Sequence, residues 1–383
     1  MKVLFITEFF PTGKDLKFSG GVEARTYFVA KYLAKKHKVS VICTRQKGSK
    51  KFEKISGVRV YRIGPTLNYS ETSSVFEIPS KIIFILNAIK TGSRFKPDIV
   101  DGSNFIAHVI AKQISINNHI PVVFWYPDVF LGQWIKNSKI AGVFGSLLEK
   151  FNFLRSADYF IAISQSTVNK LKENHVSHEK ISKIYCGVDQ KEYEKVIAKN
   201  MHFTIICISR LVGYKRIDDL IKAFSIVFKK GYDIRLIIIG SGPEEAKLKK
   251  TPADLKISNK VGFLKNLKRQ DLIKYMEESH LFCLPSAVEG FGIATIEAAA
   301  AGLPYVVSDI EVFREITKNG RGGLLFELGN IGELAKGIEK FVSDDTFYKN
   351  KSKQAKDLSL SYSWSNIADE TAVLYKHLIY EKK

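Results

Sequence analysis

The stretch FTIICISRLVGYKRIDDLIKAFSIVFKKGYDIRLIIIG, residues 203–240, decides the fold of the chain. It opens and closes with apolar, β-branched runs, at 203–209 and 234–240, and an amphipathic helical pattern lies between them. Strands that are apolar on both faces and alternate with helices are typical of parallel sheets covered by helices on both sides. The stretch therefore predicts a strand–helix–strand unit of such a sheet.

The same alternation continues in both directions. Further strands are predicted after this unit at 260–264, 281–285, 304–308 and 323–326. Strands are predicted before it near 2–7, 39–43, 58–62, 98–101, 121–125, 158–163 and 181–184, with helices such as 21–36, 104–117 and 143–155 between them. A polar, lysine-rich segment at 186–200 separates the two series, and 383 residues suffice for two domains. We predict an α/β protein with two doubly wound, Rossmann-like domains, 1–188 and 189–361, and a C-terminal helix in 362–383.

Composition excludes the disordered and membrane-spanning classes. The chain is 45% hydrophobic and 26% charged, which is typical of soluble globular proteins. No apolar run approaches the ~18–20 residues that span a bilayer, and the apolar start, residues 1–10, lacks a signal-peptide cleavage pattern. The cysteines form no C-x-x-C pair and the histidines no H-x-x-x-H pair, so we expect inert core thiols in a reducing compartment and no metal site. These features predict a cytoplasmic protein.

The net charge of +20 is unevenly distributed. Residues 1–190 carry 28 Lys and Arg against 14 Asp and Glu, whereas residues 191–383 carry 31 against 25. A basic first half predicts an acidic partner there: an anionic membrane at whose inner face the protein would be peripheral, a phosphorylated acceptor, or nucleic acid. Nucleic acid is the weakest option, because no nucleic-acid-binding pattern is present, and we expect none to bind. The alternative is a surface charge that only keeps the protein soluble.

Two cations follow the strand at 203–209. Arg210 and Lys215 lie in the loop between this strand and the next helix. Two cations at the end of a strand repel each other unless an anion lies between them, and a diphosphate suits an Arg fork together with a Lys point charge. The alternative is a solvated basic loop.

The stretch EGFGIATIE, residues 289–297, follows the strand at 281–285 and opens an alanine-rich helix. Free amides in the first turn of that helix and its dipole suit a phosphate group, and the glycines at 290 and 292 allow a ligand close to the backbone. Glu289 precedes the helix and Glu297 lies about one turn inside it, so the two are predicted to face one pocket from different heights. For Glu289 the alternative is a capping role.

Two glycine positions give weaker signals. IIIGSGPE, residues 237–244, places Gly240 in a Gly-x-Gly turn between a strand and a helix, which is either half of a dinucleotide fingerprint or only a tight turn. VGFL, residues 261–264, places Gly262 in a strand that either lines a base or belongs to the core.

Taken together, these stretches resemble the retaining glycosyltransferases of family 4, which have the GT-B fold. The resemblance runs nearly end to end, and its most specific part is E-x7-E following the Arg/Lys loop. It also includes 20–41, 157–171 and 187–189 in the first half. The family implies an acceptor-side first domain and a nucleotide-sugar-binding second domain that face each other across a cleft, with the C-terminal helix returning to the first domain.

The resemblance also implies roles for individual residues. Arg210 and Lys215 would hold the donor diphosphate, Glu289 would contact hydroxyls of the transferred sugar, and Glu297 would bind the ribose hydroxyls. Other donor-binding positions would be Gly20, Gly21, Gly240, Gly262, Phe291, Gly292, Ile293, Ala294 and Thr295. No metal or other cofactor would then be required, because cations and amides stabilise the leaving diphosphate.

The first domain departs from the family at its usual histidine. After the strand at 98–101, and near a second motif that usually contains His-Asp, this chain instead offers Asp101, Ser103, Asn104, His108 and Asp128. His108 lies on an apolar helix pattern that is typical of a packed core histidine. The glycines at 20 and 21 either approach the donor or only ease a turn, and the neighbouring Glu23 and Arg25 are either cleft-facing or on the helix surface.

The segment 134–155 has apolar residues at helical spacing beside lysines. It either packs on the sheet, which we favour, or contacts a membrane.

The leading prediction is transfer of a hexosyl unit from a nucleotide-sugar of the GDP-mannose, UDP-glucose or UDP-N-acetylglucosamine type to a hydroxyl acceptor. The acceptor would be a lipid-linked or cell-surface glycan precursor, such as a polyprenyl-phosphate-linked one. The alternatives are a non-catalytic nucleotide-sugar-binding partner of an active transferase, which the missing histidine favours, and a GT-B nucleotide-sugar epimerase.

Overall fold

A computed structural model describes residues 1–13, 16, 18, 20–67, 77–132, 134–194 and 198–382, with residues 134–141 described for their backbone only. The chain forms two compact units. The first contains Met1–Cys186 together with Trp364–Lys383, and the second contains Gly187–Ser363. The chain thus passes between the units at 186/187 and at 363/364, within two residues of the boundaries expected from the sequence.

The first unit is built on an eight-stranded sheet. Its strands are β1 (Lys2–Ile6), β2 (Lys38–Arg45), β3 (Phe52–Ile55), β4 (Val58–Thr66), β5 (Ile99–Gly102), β6 (Val122–Tyr126), β7 (Tyr159–Ala162) and β8 (Ile181–Lys183). Their order is β3-β4-β2-β1-β5-β6-β7-β8, and every pair is parallel except β3 with β4. The order reverses between β1 and β5, which is the doubly wound arrangement.

Helices connect these strands. They are α1 (Gly21–Leu33), α2 (Ile78–Arg94), α3 (Phe105–Asn118), α4 (Trp134–Arg155), α5 (Gln165–Glu173) and, from the end of the chain, α13 (Trp364–Glu381). The helix α1 packs on α13, whereas α3 packs on both α2 and α4. Because the strand order reverses between β1 and β5, right-handed crossovers put α1 and α3 on opposite sides of the sheet.

The C-terminal helix is attached to the first unit by a buried polar cluster. The guanidinium of Arg25 on α1 donates two hydrogen bonds, of 3.1 and 3.0 Å, to the carboxylate of Asp101 on β5. The hydroxyl of Tyr375 on α13 donates to the same carboxylate. All three side chains are buried, and Phe28 on α1 stacks on Trp364 at the start of α13. The cluster explains why the last twenty residues fold with the first unit.

The second unit has a six-stranded, fully parallel sheet. Its strands are β9 (Phe203–Ile208), β10 (Ile234–Ile239), β11 (Val261–Leu264), β12 (Leu281–Leu284), β13 (Tyr305–Ser308) and β14 (Gly323–Phe326), in the order β11-β10-β9-β12-β13-β14. Its helices are α6 (Ile217–Lys229), α7 (Glu245–Asp254), α8 (Arg269–Glu278), α9 (Ile293–Ala300), α10 (Glu311–Ile316), α11 (Ile331–Ser343) and α12 (Asp345–Ser359). The two doubly wound, Rossmann-like sheets confirm the predicted α/β class.

Two local predictions differ from the structure. The short strand β3 was not predicted, because FEKI has two charged residues and pairs only at the edge of the sheet. The helix predicted at 143–155 begins at Trp134, nine residues earlier. The four cysteines are free and buried, as predicted, and burial raises the pKa of the Cys43, Cys186 and Cys207 thiols to about 12.

Candidate active site

Three of the residues singled out from the sequence in the second unit lie in loops after the carboxyl ends of its strands. The loop after β9 carries Arg210 and Lys215, and the loop after β12 carries Glu289. The strands β9 and β12 are neighbours at the point where the strand order reverses. Open α/β sheets form their ligand crevice at such a point.

Two contacts join these loops. The Nζ atom of Lys215 lies 2.5 Å from Oε1 of Glu289, and both side chains are about 10% exposed. The amide of Ala287 donates a hydrogen bond of 2.8 Å to the carbonyl oxygen of Tyr214. The structure therefore brings together a cation and a carboxylate that are 74 residues apart in the sequence.

Arg210 is the exposed cation in the loops at the carboxyl ends of β9 and β12. Its Nη2 atom donates to the hydroxyl of Tyr214 at 2.5 Å, and its guanidinium lies 6.0 Å from the centre of that ring. Within the part of the chain that the structure describes, no carboxylate pairs with Arg210. Its charge is therefore available to an anion from solution.

The glycine turn after β10 holds the Arg210 loop in place. The amide of Leu211 donates to the carbonyl of Ser241 at 2.7 Å. A Cβ atom on Gly240, which has a φ of +155°, would lie 1.8 Å from the carbonyl oxygen of Ser209. Gly240 is thus required by the close approach of two backbones. Gly262 on β11 is exposed, and a Cβ there would meet its nearest atom only at 4.0 Å, so no packing requires glycine.

The helix α9 begins from a conformation that only glycine adopts easily. Gly292 has a φ of +83°, and a Cβ on it would lie 2.8 Å from the ring of Phe313. Phe291 is buried edge-on against Tyr362. Ile293 and Ala294 are half-buried in the first turn. The turn is therefore fixed by packing, and its free amides point out of the helix end.

Thr295 adds an unused polar group to the same turn. Its side chain is buried, and its Oγ1 atom has no hydrogen-bond partner among the described residues. Buried hydroxyls are normally paired, so this unpaired one in the first turn of α9 is unusual.

Glu297 has a partner that the sequence analysis missed. Its Oε1 atom lies 2.6 Å from Nη1 of Arg269, the first residue of α8. The same guanidinium lies 2.7 Å from Glu192 and donates to the hydroxyl of Tyr193 at 3.1 Å. In sequence, Arg269 resembles the surface cations around it, and only the packing of α8 against the residue 190–193 turn distinguishes it.

The groups of this cluster strongly affect one another's pKa values. Burial alone lowers the pKa of Arg269, but Glu297, Tyr193 and Glu192 raise it well above its usual value. Burial raises the pKa of the Glu297 carboxyl, and Arg269 opposes that rise. Arg269 is thus a permanent cation that favours the ionised form of Glu297, whose second oxygen can accept hydrogen bonds.

The candidates of the first unit are placed differently. Gly20 precedes α1 with an extended φ of −177°, which any residue adopts, and Gly21 is exposed at the first position of the helix. The backbone angle at position 20 thus does not require glycine. Glu23 and Arg25 are buried, so they are not helix-surface residues.

The polar residues near the end of β5 are occupied by internal contacts. Asp101 is fully buried in its cluster with Arg25 and Tyr375, and Ser103 is fully buried and bonds to the hydroxyl of Thr26 at 2.9 Å. Asn104 is half-buried, and its Oδ1 atom accepts from the amide of Ala107 as the N-cap of α3.

The two remaining candidates are also buried. His108 donates from Nε2 to the carbonyl of Trp125 at 3.1 Å and stacks on Phe124 with ring centres 4.3 Å apart. Burial lowers the pKa of His108 to about 3, so the ring is neutral. Asp128 accepts from Nζ of Lys170 at 2.7 Å. In this structure, none of the fully buried residues Asp101, Ser103 and His108 presents its side chain to solvent.

Among the residues that the structure describes, no three His, Cys, Asp or Glu side chains gather as a metal site would need. Among the helices that the structure describes, none combines the length and the apolar character of a membrane span.

Two family models match the chain on either side of the first crossing between units. The model described as Glycosyltransferase Family 4 matches residues 19–192, and the model described as Glycosyl transferases group 1 matches residues 189–358. Together they cover both Rossmann-like sheets apart from the first strand.

Curated proteins and solved structures resemble the chain over nearly its whole length. An uncharacterized glycosyltransferase of Haemophilus influenzae is 27% identical over 92% of this chain and 95% of its own. Sucrose-phosphate synthase of Thermosynechococcus elongatus superposes with a TM-score of 0.83 at 16% identity, covering 99% of both chains. Anabaena HepE in complex with UDP-glucose superposes with a TM-score of 0.77 at 19% identity, covering 98% of this chain and all of the other.

Proposed function

The chain belongs to the group 1, family 4 glycosyltransferases of the GT-B fold, and we propose that it transfers a hexosyl unit from a nucleotide-sugar to a hydroxyl acceptor with retention of anomeric configuration. The observation that carries the proposal is the joining of the β9 and β12 loops. Lys215 and Glu289 meet there, beside the exposed Arg210 and the first turn of α9. Cations, free amides and carboxylates are the groups that a sugar diphosphate requires.

Each part of this edge suits one part of the donor. The guanidinium of Arg210 and the ammonium of Lys215 bind the diphosphate together with the α9 amides and the Thr295 hydroxyl. Glu289 accepts hydrogen bonds from the transferred sugar. Glu297, paired with Arg269, accepts from the two ribose hydroxyls. A UDP-hexose is the first donor to test, because Anabaena HepE binds UDP-glucose; GDP-mannose and UDP-N-acetylglucosamine follow.

The reaction breaks the bond between the anomeric carbon and the diphosphate oxygen. The acceptor oxygen forms its new bond on the same face of the sugar, and its proton passes to the departing diphosphate. Arg210 and Lys215 stabilise the negative charge that develops on that leaving group. The step needs no general base from the first unit, where His108 is buried. Because two side-chain cations neutralise the diphosphate, we further propose that no metal takes part, so chelation by EDTA should leave the rate unchanged.

The acceptor proposed here is a glycan precursor linked to a lipid phosphate or destined for the cell surface. The support is the surplus of Lys and Arg in residues 1–190, because a cationic surface attracts an anionic acceptor or membrane. The protein would work in the cytoplasm, at the inner face of the membrane.

Thermal unfolding with UDP-, GDP-, ADP- and CMP-sugars tests the donor. A donor present at about 100 times its dissociation constant stabilises the folded state by ~2.7 kcal/mol. With that nucleotide-sugar and a suitable acceptor, Lys215→Ala should lower transfer at least ~100-fold, as loss of a charge-stabilising hydrogen-bond donor does. Glu289→Ala should also lower transfer, because the transferred sugar loses an acceptor for its hydroxyls. Lys222→Ala is the matched control, because Lys222 is an exposed cation of α6 paired with Asp218. Full activity in both site variants would refute the assignment.

A non-catalytic nucleotide-sugar-binding partner is the second candidate. It is favoured by the absence, among the described residues, of an exposed histidine just after β5; His108, on the following helix α3, is buried. Slow hydrolysis of the bound donor without acceptor separates the two, because a scaffold has no reason to cleave it. An epimerase, the other alternative, would convert the free nucleotide-sugar to its isomer, which chromatography of the same mixture detects.

A further inference from the structure

Lys215 and Glu289 neutralise each other in this structure. The Nζ atom of Lys215 lies 2.5 Å from Oε1 of Glu289, and each side chain is about 10% exposed. Among the residues that the structure describes, no other acid pairs with Lys215 and no other cation pairs with Glu289. Burial raises the pKa of the Cys207 thiol on β9, Lys215 lowers it and Glu289 raises it further. Two opposite charges thus lie together beside β9, largely out of water.

The backbone joins the two loops without help from this ion pair. The amide of Ala287 donates a hydrogen bond of 2.8 Å to the carbonyl oxygen of Tyr214. The amide of Lys215 donates to the carbonyl of Val212 at 3.0 Å, which closes the turn that carries the lysine. The pair can therefore open and close by rotation of two side chains while the loops stay joined. It is free to take part in ligand binding.

A free nucleoside diphosphate and a nucleotide-sugar differ at the phosphate that Lys215 would bind. The terminal phosphate of the free diphosphate is a monoester, which loses a second proton near about pH 6. In the nucleotide-sugar the sugar esterifies that phosphate, so it has no second proton to lose. Beside Lys215, the free diphosphate meets the Glu289 carboxylate as a like charge, which costs binding free energy. If Glu289 moves away instead, it is left without its opposite charge.

The sugar removes this conflict. Its hydroxyls donate to the carboxylate of Glu289, so Glu289 keeps hydrogen-bond partners when the diphosphate binds Lys215. The ammonium group of Lys215 has several N–H donors, so it can contact a phosphate and the carboxylate together. Arg210 is exposed and pairs with no carboxylate among the described residues, so it is available to both ligands alike. Discrimination between the two ligands therefore comes from Glu289 and not from Arg210.

We propose that Glu289 selects the nucleotide-sugar over the free nucleoside diphosphate by competing for Lys215. This inference rests on the proposed function and adds product release to the same site. In the transfer step the bond from the anomeric carbon to the diphosphate oxygen breaks, and the diphosphate keeps the electron pair. The sugar leaves Glu289 with the acceptor, and the acceptor's proton passes to the diphosphate and then to water. Glu289 pairs with Lys215 again and displaces the more negative product.

Calorimetric titration with two ligands of the same base tests this role. The wild type and Glu289→Gln are each titrated with UDP and UDP-glucose, and with GDP and GDP-mannose. In Glu289→Gln the free diphosphate should bind at least ~10-fold more tightly, because Lys215 is released from a charged hydrogen bond. The nucleotide-sugar should gain little, because the same change removes the charged acceptor for its hydroxyls. The dissociation constant of the diphosphate, divided by that of the nucleotide-sugar, should therefore fall about tenfold.

Three further variants serve as controls. Glu339→Gln removes the same charge from another lysine–glutamate pair, because Glu339 lies 2.6 Å from Lys230, and it should change neither affinity. Glu289→Asp keeps the charge, so its ratio of dissociation constants should stay closer to the wild type than that of Glu289→Gln. Glu289→Ala also removes the charge and should lower the ratio, which keeps the test decisive if the Gln variant does not fold. Thermal unfolding without ligand checks the fold of each variant.

Three results would overturn the inference. An unchanged ratio in Glu289→Gln, or an equal change in Glu339→Gln, would do so and leave the proposed function standing. Weaker binding of both ligands by the same factor in Glu289→Gln would also do so, since an ion pair that only holds the loops together gives that result. Binding of none of the four ligands by the wild type would refute the proposed donor site and this inference together.

Discussion

Replacing Arg269 by Gln probes the least expected contact of the candidate site. The guanidinium lies 2.6 Å from Glu297 and 2.7 Å from Glu192. No other cation pairs with Glu297 among the described residues, so Arg269→Gln leaves a buried carboxylate without an opposite charge. Breaking such a pair destabilises a protein by roughly 3–5 kcal/mol. For a unit the size of Gly187–Ser363, this lowers the unfolding midpoint by about 6–20 °C.

The loss of stability in Arg269→Gln should depend on pH, and its direction follows from the pKa of Glu297. Burial already raises the pKa of Glu297, and removing Arg269 raises it further. An acid whose folded-state pKa is raised binds a proton more readily in the folded state. The variant therefore regains stability as the pH falls through that raised pKa and shows its full deficit above it.

Urea unfolding of the second unit, measured at pH values below and above the pKa of Glu297, gives the free energy of unfolding directly. The double variant Arg269→Gln/Glu297→Gln should recover most of the stability, because a neutral amide pair replaces the unpaired carboxylate, yet it should bind the donor weakly. Arg314→Gln, which breaks an exposed ion pair with Asp309, is the control and should leave stability unchanged. A single variant within about 1 kcal/mol of wild type would refute the reasoning, since breaking a buried pair costs more. A double variant no more stable than the single one would do the same.

Three further changes test other parts of the structure. Gly292→Ala should destabilise the protein by ~1–3 kcal/mol in urea unfolding and weaken donor binding, because a Cβ at φ +83° is strained and meets Phe313 at 2.8 Å; an unchanged midpoint would contradict this. Asp101→Asn should lower the free energy of unfolding by roughly 3–5 kcal/mol, because it leaves Arg25 buried without an opposite charge. Amide hydrogen exchange in α13 should become faster in this variant. Wild type should lose stability as the pH falls from ~6.5 towards 3, because the unfolded histidine binds a proton that folded His108 does not. His108→Leu should show a shallower loss, and parallel curves would refute that cause.

Sequence alone predicted the strands well for a physical reason. In a parallel sheet covered on both sides, nearly every strand residue is apolar, so each strand stands out as a short continuous run. The antiparallel edge strand β3 lacks that signal, because two of its four residues are charged. The boundary between the two series of strands was also predictable, because the segment at 186–200 that separates them is polar.

The sequence pointed to candidate-site residues that follow strands or lie in the first turns of the helix after them. Arg210, Lys215 and Glu289 come directly after β9 and β12, and the topology brings those ends together. Arg269 begins a helix among other charged residues, so nothing in its surroundings marks it as buried. Asp101 also lies at the end of a predicted strand, but it is buried in the core. Its hydrogen-bond partner Tyr375 is 274 residues away in the sequence.

Helix periodicity carried less information about α4. The spacing of Phe144, Leu147, Phe151 and Leu154 indicates a single apolar stripe, but a stripe can face the sheet or the solvent. These four residues are exposed, so the expected packing on the sheet is wrong for this side of α4. Its direction is decided by two buried polar residues, Glu149 and Asn152, and by the backbone groups they meet. Those partners lie on other segments, so the pattern within the helix does not reveal them.

Calorimetric titration with UDP-glucose, and then with GDP-mannose and UDP-N-acetylglucosamine, tests the central claim most directly. One nucleotide-sugar should bind with one molecule per chain. Lys215→Ala and Glu297→Gln should each weaken that binding at least ~10-fold, the effect of losing one charged hydrogen bond of about 1.5–3 kcal/mol. Lys222→Ala should bind as the wild type does. Binding of no nucleotide-sugar by the wild type, or equal affinity in all four proteins, would contradict the account.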